Sequence, residues 1–188
     1  MAPTLDSADL AALARRALEQ GRLAEAADAV ETLLARQPED GTAWIIRGVL
    51  DLQRGTPAAA SEAFARAERL GADRRRARLG AGMAALELGE SERAWATFET
   101  VAREHGDDAE TMHWLLCAGT ALGRWSALAE RLEAFVARNP DEHAVRFALG
   151  AVCLRLGARE RAREHCQTLR RLHPDFDGID DLERALAA

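Results

Sequence analysis

The chain has 188 residues, 48% of them hydrophobic and 30% charged, and a formal net charge of −6 at pH 7. This acidic balance argues against nucleic acid as a partner, because phosphate binding usually shows as a basic excess or stripe. No window approaches the roughly 18 consecutive apolar residues of a membrane-spanning helix, and the first residues do not form an Arg-led apolar signal segment. We therefore expect no nucleic-acid partner, no membrane insertion and a cytoplasmic location.

The residue usage points to a helical chain. Ala, Leu, Arg and Glu dominate, which favours helix throughout. All 25 basic residues are arginine, a usage typical of a GC-rich bacterial genome. Cys117, Cys153 and Cys166 are an odd number without close pairing, which fits a reducing compartment and predicts no disulfide framework.

Five glycines stand 34 residues apart, at Gly21, Gly55, Gly89, Gly123 and Gly157. Alanine follows four of them by five positions, and Leu128 replaces it after the fourth glycine. A fixed period of this length predicts a repeat array whose stacked units share one core. We expect one domain over 1–188, with repeat units 7–40, 41–74, 75–108, 109–142 and 143–176.

Each unit has the same predicted order along the chain. The glycine lies between two apolar-periodic stretches of about 14 residues, which predicts helix, tight turn, helix. The second stretch runs into Pro38, Pro140 or Pro174 in three of the units, where proline disfavours helix at the preceding residue. Residues 177–188 begin with acidic residues and carry Leu182 and Leu186 on one face, which predicts a short helix that caps the array.

These residues resemble the tetratricopeptide repeat (TPR). Unit 41–74 matches the pattern of that family best, with Trp44, Gly48, Gly55, Ala60, Phe64 and Ala67 in place. Unit 109–142 diverges most, because Leu116 and Leu128 replace the small residues at its eighth and twentieth positions, and we expect looser or shifted packing there. The resemblance covers 7–176. It implies an all-α fold, an α-solenoid in which antiparallel helix pairs form a right-handed superhelix, with Phe64, Phe98 and Leu132 filling the layers between repeats.

The resemblance also implies a concave groove, lined by the first helix of each unit, that binds another protein. Carried over to this chain, the groove positions hold Ile45, Ile46, Val49, Arg76, Leu79, Met83, His113, Trp114, Cys117 and Phe147. Most of these side chains are apolar, and an exposed apolar patch usually marks a binding site. For Ile46, Trp114 and Phe147 the alternative is burial by neighbouring first helices or by the cap. Arg76 is either a partner for a carboxylate or a solvated rim residue.

Few residues suggest catalysis or metal binding. His113 and Cys117 stand four apart and could reach one metal ion, but the spacing places no third ligand. Cys153 and Cys166 are expected to pack against each other, and the alternative is a disulfide between them if the compartment is oxidising. The sequence has no Gly-rich phosphate loop, nucleophile elbow or His-Glu-x-x-His motif. We expect no metal site, no cofactor and no enzyme activity.

The sequence thus favours a non-catalytic interaction module that takes a peptide or helical segment of another protein in its groove. By resemblance, its role would be a scaffold, adaptor or chaperone of a bacterial assembly or secretion complex. Two alternatives stay open. One is the interaction region of a multi-component enzyme system whose catalytic part lies elsewhere, and the other is a self-assembling scaffold that forms a homo-oligomer.

Overall fold

The computed structural model describes residues 5–187, which form eleven α-helices and no β-strand. The helices are α1 (Ser7–Glu19), α2 (Leu23–Arg36), α3 (Gly41–Gln53), α4 (Pro57–Arg69), α5 (Arg74–Glu87), α6 (Ser91–His105), α7 (Ala109–Leu122), α8 (Trp125–Arg138), α9 (His143–Arg155), α10 (Arg159–Leu172) and α11 (Gly178–Ala187). Within this described part, no helix is long and apolar enough to cross a membrane. The predicted all-α solenoid class is confirmed.

The chain divides into two compact units, Met1–Val101 and Ala102–Ala188. In both units the predicted turn glycines separate consecutive helices, and all five lie in the left-handed region, with φ between 68° and 77°. Glycine adopts this conformation without the steric penalty of a side chain. The amide after each glycine donates to the carbonyl five residues earlier, as from Arg22 to Ala17 and from Arg124 to Gly119, both at 2.8 Å. One turn geometry is therefore used five times.

Aspartate side chains begin four of the helices that precede a turn glycine. Asp6, Asp40, Asp73 and Asp108 each accept a hydrogen bond from a backbone amide in the first turn of the helix that follows. Such caps satisfy amides that have no partner within the helix. α9 differs, since its N-cap residue Glu142 makes no side-chain capping bond.

Aromatic rings fill the layers of the first unit. The ring of Phe64 lies against Gly48 and Gly80, where an added Cβ would come within 2.7 Å and 2.3 Å of it. Phe98 occupies the same kind of space against Gly82, with a distance of 2.4 Å. Both rings are fully buried, and so is Leu132 in the second unit. The contact of Phe64 with Gly80 in the next repeat confirms Phe64 as a layer residue, whereas Phe98 and Leu132 are confirmed as buried.

The last helix of the second unit covers an apolar surface. α11 buries Ile179 and Leu182 in a cluster with Cys166 and Leu169 of α10. Ion pairs support this contact, because the Arg170 guanidinium lies 2.6 Å from Asp180 and 2.8 Å from Glu183. A helix thus lies where the sequence predicts one, and its role as a cap stays a prediction.

The turn-proximal alanines give a first test of the packing. Ala60 has no exposed surface, whereas its neighbour Ala59 is exposed on the same helix. We expect Ala60→Leu to lower the free energy of unfolding by about 1–3 kcal/mol, because the added carbons overpack a filled helix crossing. Chemical denaturation would measure this, with Ala59→Leu as the matched control. Equal unfolding midpoints for the two variants would contradict the assignment of Ala60 to the crossing.

Candidate functional site

A concave pocket of about 390 Å³ lies in the second unit, between the facing sides of α7 and α9. Its lining consists of His113, Leu116 and Thr120 from α7, Trp125 from the start of α8, and Ala144, Phe147, Ala148, Ala151, Val152 and Arg155 from α9. The residues of α7 and α9 recur at intervals of three and four, so each set occupies one face of its helix. The lining is mostly apolar, and its polar groups are few.

The pocket adjoins the place where the repeat pattern fails. At the eighth position of the other units, Ala14, Gly48, Gly82 and Gly150 are buried. Leu116 takes this position in unit 109–142, and it is half-buried and lines the pocket. Its partner in the turn pattern, Leu128, is fully buried. The backbones of α7 and α8 approach each other closely at fewer positions than those of α3/α4 and α9/α10, which agrees with the looser or shifted packing that the sequence predicts.

Arg155 brings a positive charge to the pocket. Its guanidinium carbon lies 5.0 Å from the ring centroid of Trp125, within the range of a cation–π contact. The contact holds a long, exposed side chain over an aromatic face. Arg155 is thereby positioned beside an apolar surface, where a partner's carboxylate could reach it.

Aromatic packing holds Phe147 in place. Its ring meets the ring of Phe176 edge-on at 5.5 Å, and His143 meets Phe176 at 5.1 Å. Gly178 lies close to Phe147, since an added Cβ there would be 3.0 Å from the ring. Phe147 is therefore held in place before any partner arrives.

Two of the sequence-predicted groove residues of this unit line the pocket, His113 and Phe147. Trp114 is half-buried and meets the His113 ring edge-on at 5.1 Å, and Cys117 Sγ lies 3.8 Å from His113 Nε2. Neither Trp114 nor Cys117 is part of the lining. Burial raises the pKa of the Cys117 thiol, so this cysteine lacks the depressed pKa of a nucleophile.

The six groove residues predicted in the first unit fall into different environments. Ile45 and Val49 are half-buried and pack against the cluster around Phe64. Ile46 and Leu79 are only 4% exposed and belong to the core rather than to an open surface.

The remaining two are more accessible. Met83 is half-buried, and Arg76 has 68% of its side chain exposed, with its Nε 3.5 Å from Asp73. The structure thus leaves four of the six with surface to offer a partner. Ile46 and Leu79 offer little, because the neighbouring helices already use these side chains for packing.

Sequence reasoning missed most of the pocket lining. The missed residues include Leu116, Thr120, Trp125 and Arg155. The sequence shows Leu116 as a departure from the repeat pattern, but it does not indicate that Leu116 lines a pocket. Trp125 follows a turn glycine by two residues, which places an aromatic ring at the helix start, but its pairing with Arg155 depends on two chain segments 30 residues apart.

Helix pairs with one repeated glycine turn define a class, the helical repeat proteins. The family model described as "Tetratricopeptide repeat" matches residues 11–74, 50–109 and 121–175. The chain therefore belongs to the tetratricopeptide repeat family, whose members are generally interaction scaffolds, and it is a protein–protein interaction module. No curated protein sequence matches the chain.

Solved structures show the same fold at low sequence identity. YrrB, described as a TPR protein with an unusual peptide-binding site, is 16% identical with a TM-score of 0.72, covering 95% of this chain and 92% of YrrB. MamA from Desulfovibrio magneticus RS-1 is 20% identical with a TM-score of 0.76, covering 93% of this chain and 99% of that one. A tetratricopeptide repeat protein from Parabacteroides merdae is 19% identical with a TM-score of 0.69, covering 97% and 72%.

The thiols give a test of the site's chemistry. Cys117 is half-buried, whereas Cys153 and Cys166 are buried, and burial raises the pKa of all three. We expect iodoacetamide to label Cys117 first in the folded protein, at a rate that keeps rising from neutral pH past pH 9, because the thiolate is scarce below that range. Peptide mass spectrometry would measure the rates. A rate that reaches its plateau near neutral pH would instead reveal an activated thiolate.

Proposed function

We propose that the chain is a non-catalytic adaptor that holds a peptide or helical segment of a partner protein in the pocket between α7 and α9. The observation that carries this proposal is the preformed apolar pocket itself, whose wall residue Phe147 is already braced by Phe176. A mostly apolar concavity with a few placed polar groups is the usual form of a binding site.

The shape and charge of the pocket favour a protein segment as the ligand. Two helix faces supply the walls, so an apolar side chain can insert between Leu116 and Phe147 while the backbone runs along the helices. Arg155 stands ready for an acidic side chain or a terminal carboxylate, with which arginine forms charge-assisted hydrogen bonds. The peptide-binding site named for YrrB, which has this fold, supports the same use here.

The binding surface we propose is smaller than the one the sequence suggested. His113 and Phe147 belong to it directly, and Trp114 and Cys117 lie beside His113. In the first unit, Ile45, Val49, Met83 and Arg76 are candidates for a further contact. Ile46 and Leu79 are left out because they are buried.

The wider role follows from the same module. We propose a single tetratricopeptide domain in which α11 caps the last repeat, acting in the bacterial cytoplasm as a scaffold, adaptor or chaperone of an assembly or secretion complex. The interaction region of an enzyme system and a self-assembling scaffold are the alternatives. These three roles all require a protein partner, and they differ in the identity of that partner.

A photo-crosslinking experiment tests the pocket. A photoreactive amino acid at Thr120, which lines the pocket, should form a covalent product in cells, because a bound segment passes within reach. The same residue at Glu130, exposed on α8 outside the pocket, is the control. Ala144→Arg should then abolish the Thr120 product or weaken binding at least about tenfold, because it places a bulky charge in the pocket.

Ala137→Arg, at another exposed alanine of the second unit, should leave the product unchanged. A product of twice 20.5 kDa would identify a second copy of this chain and support self-assembly. Co-crosslinking of an enzyme would support the multi-component alternative. Equal labelling from Thr120 and Glu130, insensitive to Ala144→Arg, would refute the pocket as the binding surface.

A further inference from the structure

Three side chains that are not part of the pocket lining meet on the side of α9 opposite the pocket. Glu133 of α8, Cys153 of α9 and His165 of α10 place a carboxylate oxygen, Sγ and an imidazole nitrogen all within 4.8 Å of one another. Cys153 is fully buried, and the other two are half-buried. The three residues come from different helices at no regular spacing, so no sequence motif indicates them.

The chemistry of this set is that of a metal site. Thiolate, imidazole and carboxylate are the three ligand types that Zn²⁺ takes in proteins, and sites with three protein ligands keep the fourth position for water. Hard ions such as Mg²⁺ and Ca²⁺ prefer oxygen ligands alone, so the thiol argues against them.

We propose that Glu133, Cys153 and His165 bind one Zn²⁺ ion, with water as the fourth ligand. Tetrahedral zinc with bonds of about 2.0–2.3 Å needs ligand atoms about 3.3–3.8 Å apart. Because the three atoms lie up to 4.8 Å apart, they must close in by at most about 1–1.5 Å. Rotation of the partly exposed Glu133 and His165 side chains supplies this movement, while the buried Cys153 stays fixed.

Metal binding must release a proton from the cysteine, because the thiolate is the form that binds zinc. On binding, the S–H bond of Cys153 breaks, the sulfur electron pair forms the Zn–S bond, and the proton passes to solvent.

Arg161 competes with the metal. It forms an ion pair with Glu133, so the ion must displace its guanidinium from the carboxylate. Glu133 and the thiolate together carry two negative charges, which match the charge of the ion. Removing Arg161 should therefore tighten binding, an effect that a site elsewhere on the surface would not show.

Cobalt substitution tests this proposal on the full chain. Co²⁺ added to the reduced protein should produce a thiolate-to-cobalt charge-transfer band that saturates at one ion per chain and disappears when Zn²⁺ is added. Zn²⁺ should also raise the melting temperature, because it binds the folded state. Absence of the charge-transfer band in the wild-type protein would overturn the proposal.

Variants assign the ligands. Cys153→Ser should remove the band, whereas Cys166→Ser, at the other buried cysteine, should keep it. Glu133→Gln and His165→Gln should each weaken Zn²⁺ binding by about a hundredfold or more, since even loss of an outer-shell partner costs about 10–100-fold. These two substitutions carry the test if Cys153→Ser does not fold.

Arg161→Ala should bind Zn²⁺ severalfold more tightly than wild type. His105→Gln, at an exposed histidine, should bind as wild type does. A band that survives Cys153→Ser, or Zn²⁺ affinity unchanged by both Glu133→Gln and His165→Gln, would overturn the site. The pocket variant Ala144→Arg should retain metal binding, so failure of the adaptor proposal and failure of this one are separable.

Discussion

The closeness with which paired helices cross is the constraint on which the structure depends. Five residues after each turn glycine lies a fully buried side chain, and at four of these places it is alanine: Ala26, Ala60, Ala94 and Ala162. A methyl group lets two helix backbones approach closely, and the identical glycine turns bring the two helices back along each other. The larger apolar side chains are then free to fill the next layer, as Phe64 does against Gly48 and Gly80.

The pocket arises where this constraint is relaxed. Leu128 takes the alanine position and is still fully buried, so the extra carbons must be accommodated between α7 and its neighbours. Leu116 stands where the other units have Ala or Gly, and it points part of its surface into the pocket. A departure from the repeat pattern therefore has a structural consequence, and it lies at the surface that we propose for binding.

Much of the fold could be predicted from the sequence because its determinants are local. A glycine at positive φ, a small residue at a crossing and an aromatic ring in a layer each act through near neighbours, and Gly55, Ala60 and Phe64 were all assigned correctly. The site was harder. A family's groove position says which way a side chain points on average, but it does not say whether the neighbouring helix covers it, and Ile46 and Leu79 are covered.

The features that the sequence could not reveal depend on contacts between distant segments. Arg155 reaches Trp125 across 30 residues, and Glu133, Cys153 and His165 meet from three helices. Neither arrangement follows a motif. The 34-residue repeat determines the path of the backbone, whereas the side chains outside the repeat pattern differ from one unit to the next. Such contacts can be inferred only once the helices have been placed.

α9 connects the two proposals, because it presents different residues on opposite sides. At 3.6 residues per turn, Phe147, Ala151 and Arg155 share the side that faces the pocket, and Cys153 lies about half a turn away. An ion held by Cys153 together with Glu133 and His165 would tie α9 to α8 and α10. The wall that carries Phe147 would then be fixed by a bond to the metal as well as by packing. A wall that is already rigid loses less conformational entropy when a segment binds to it. Metal binding on one side of the helix would thus favour partner binding on the other, without the two ligands touching.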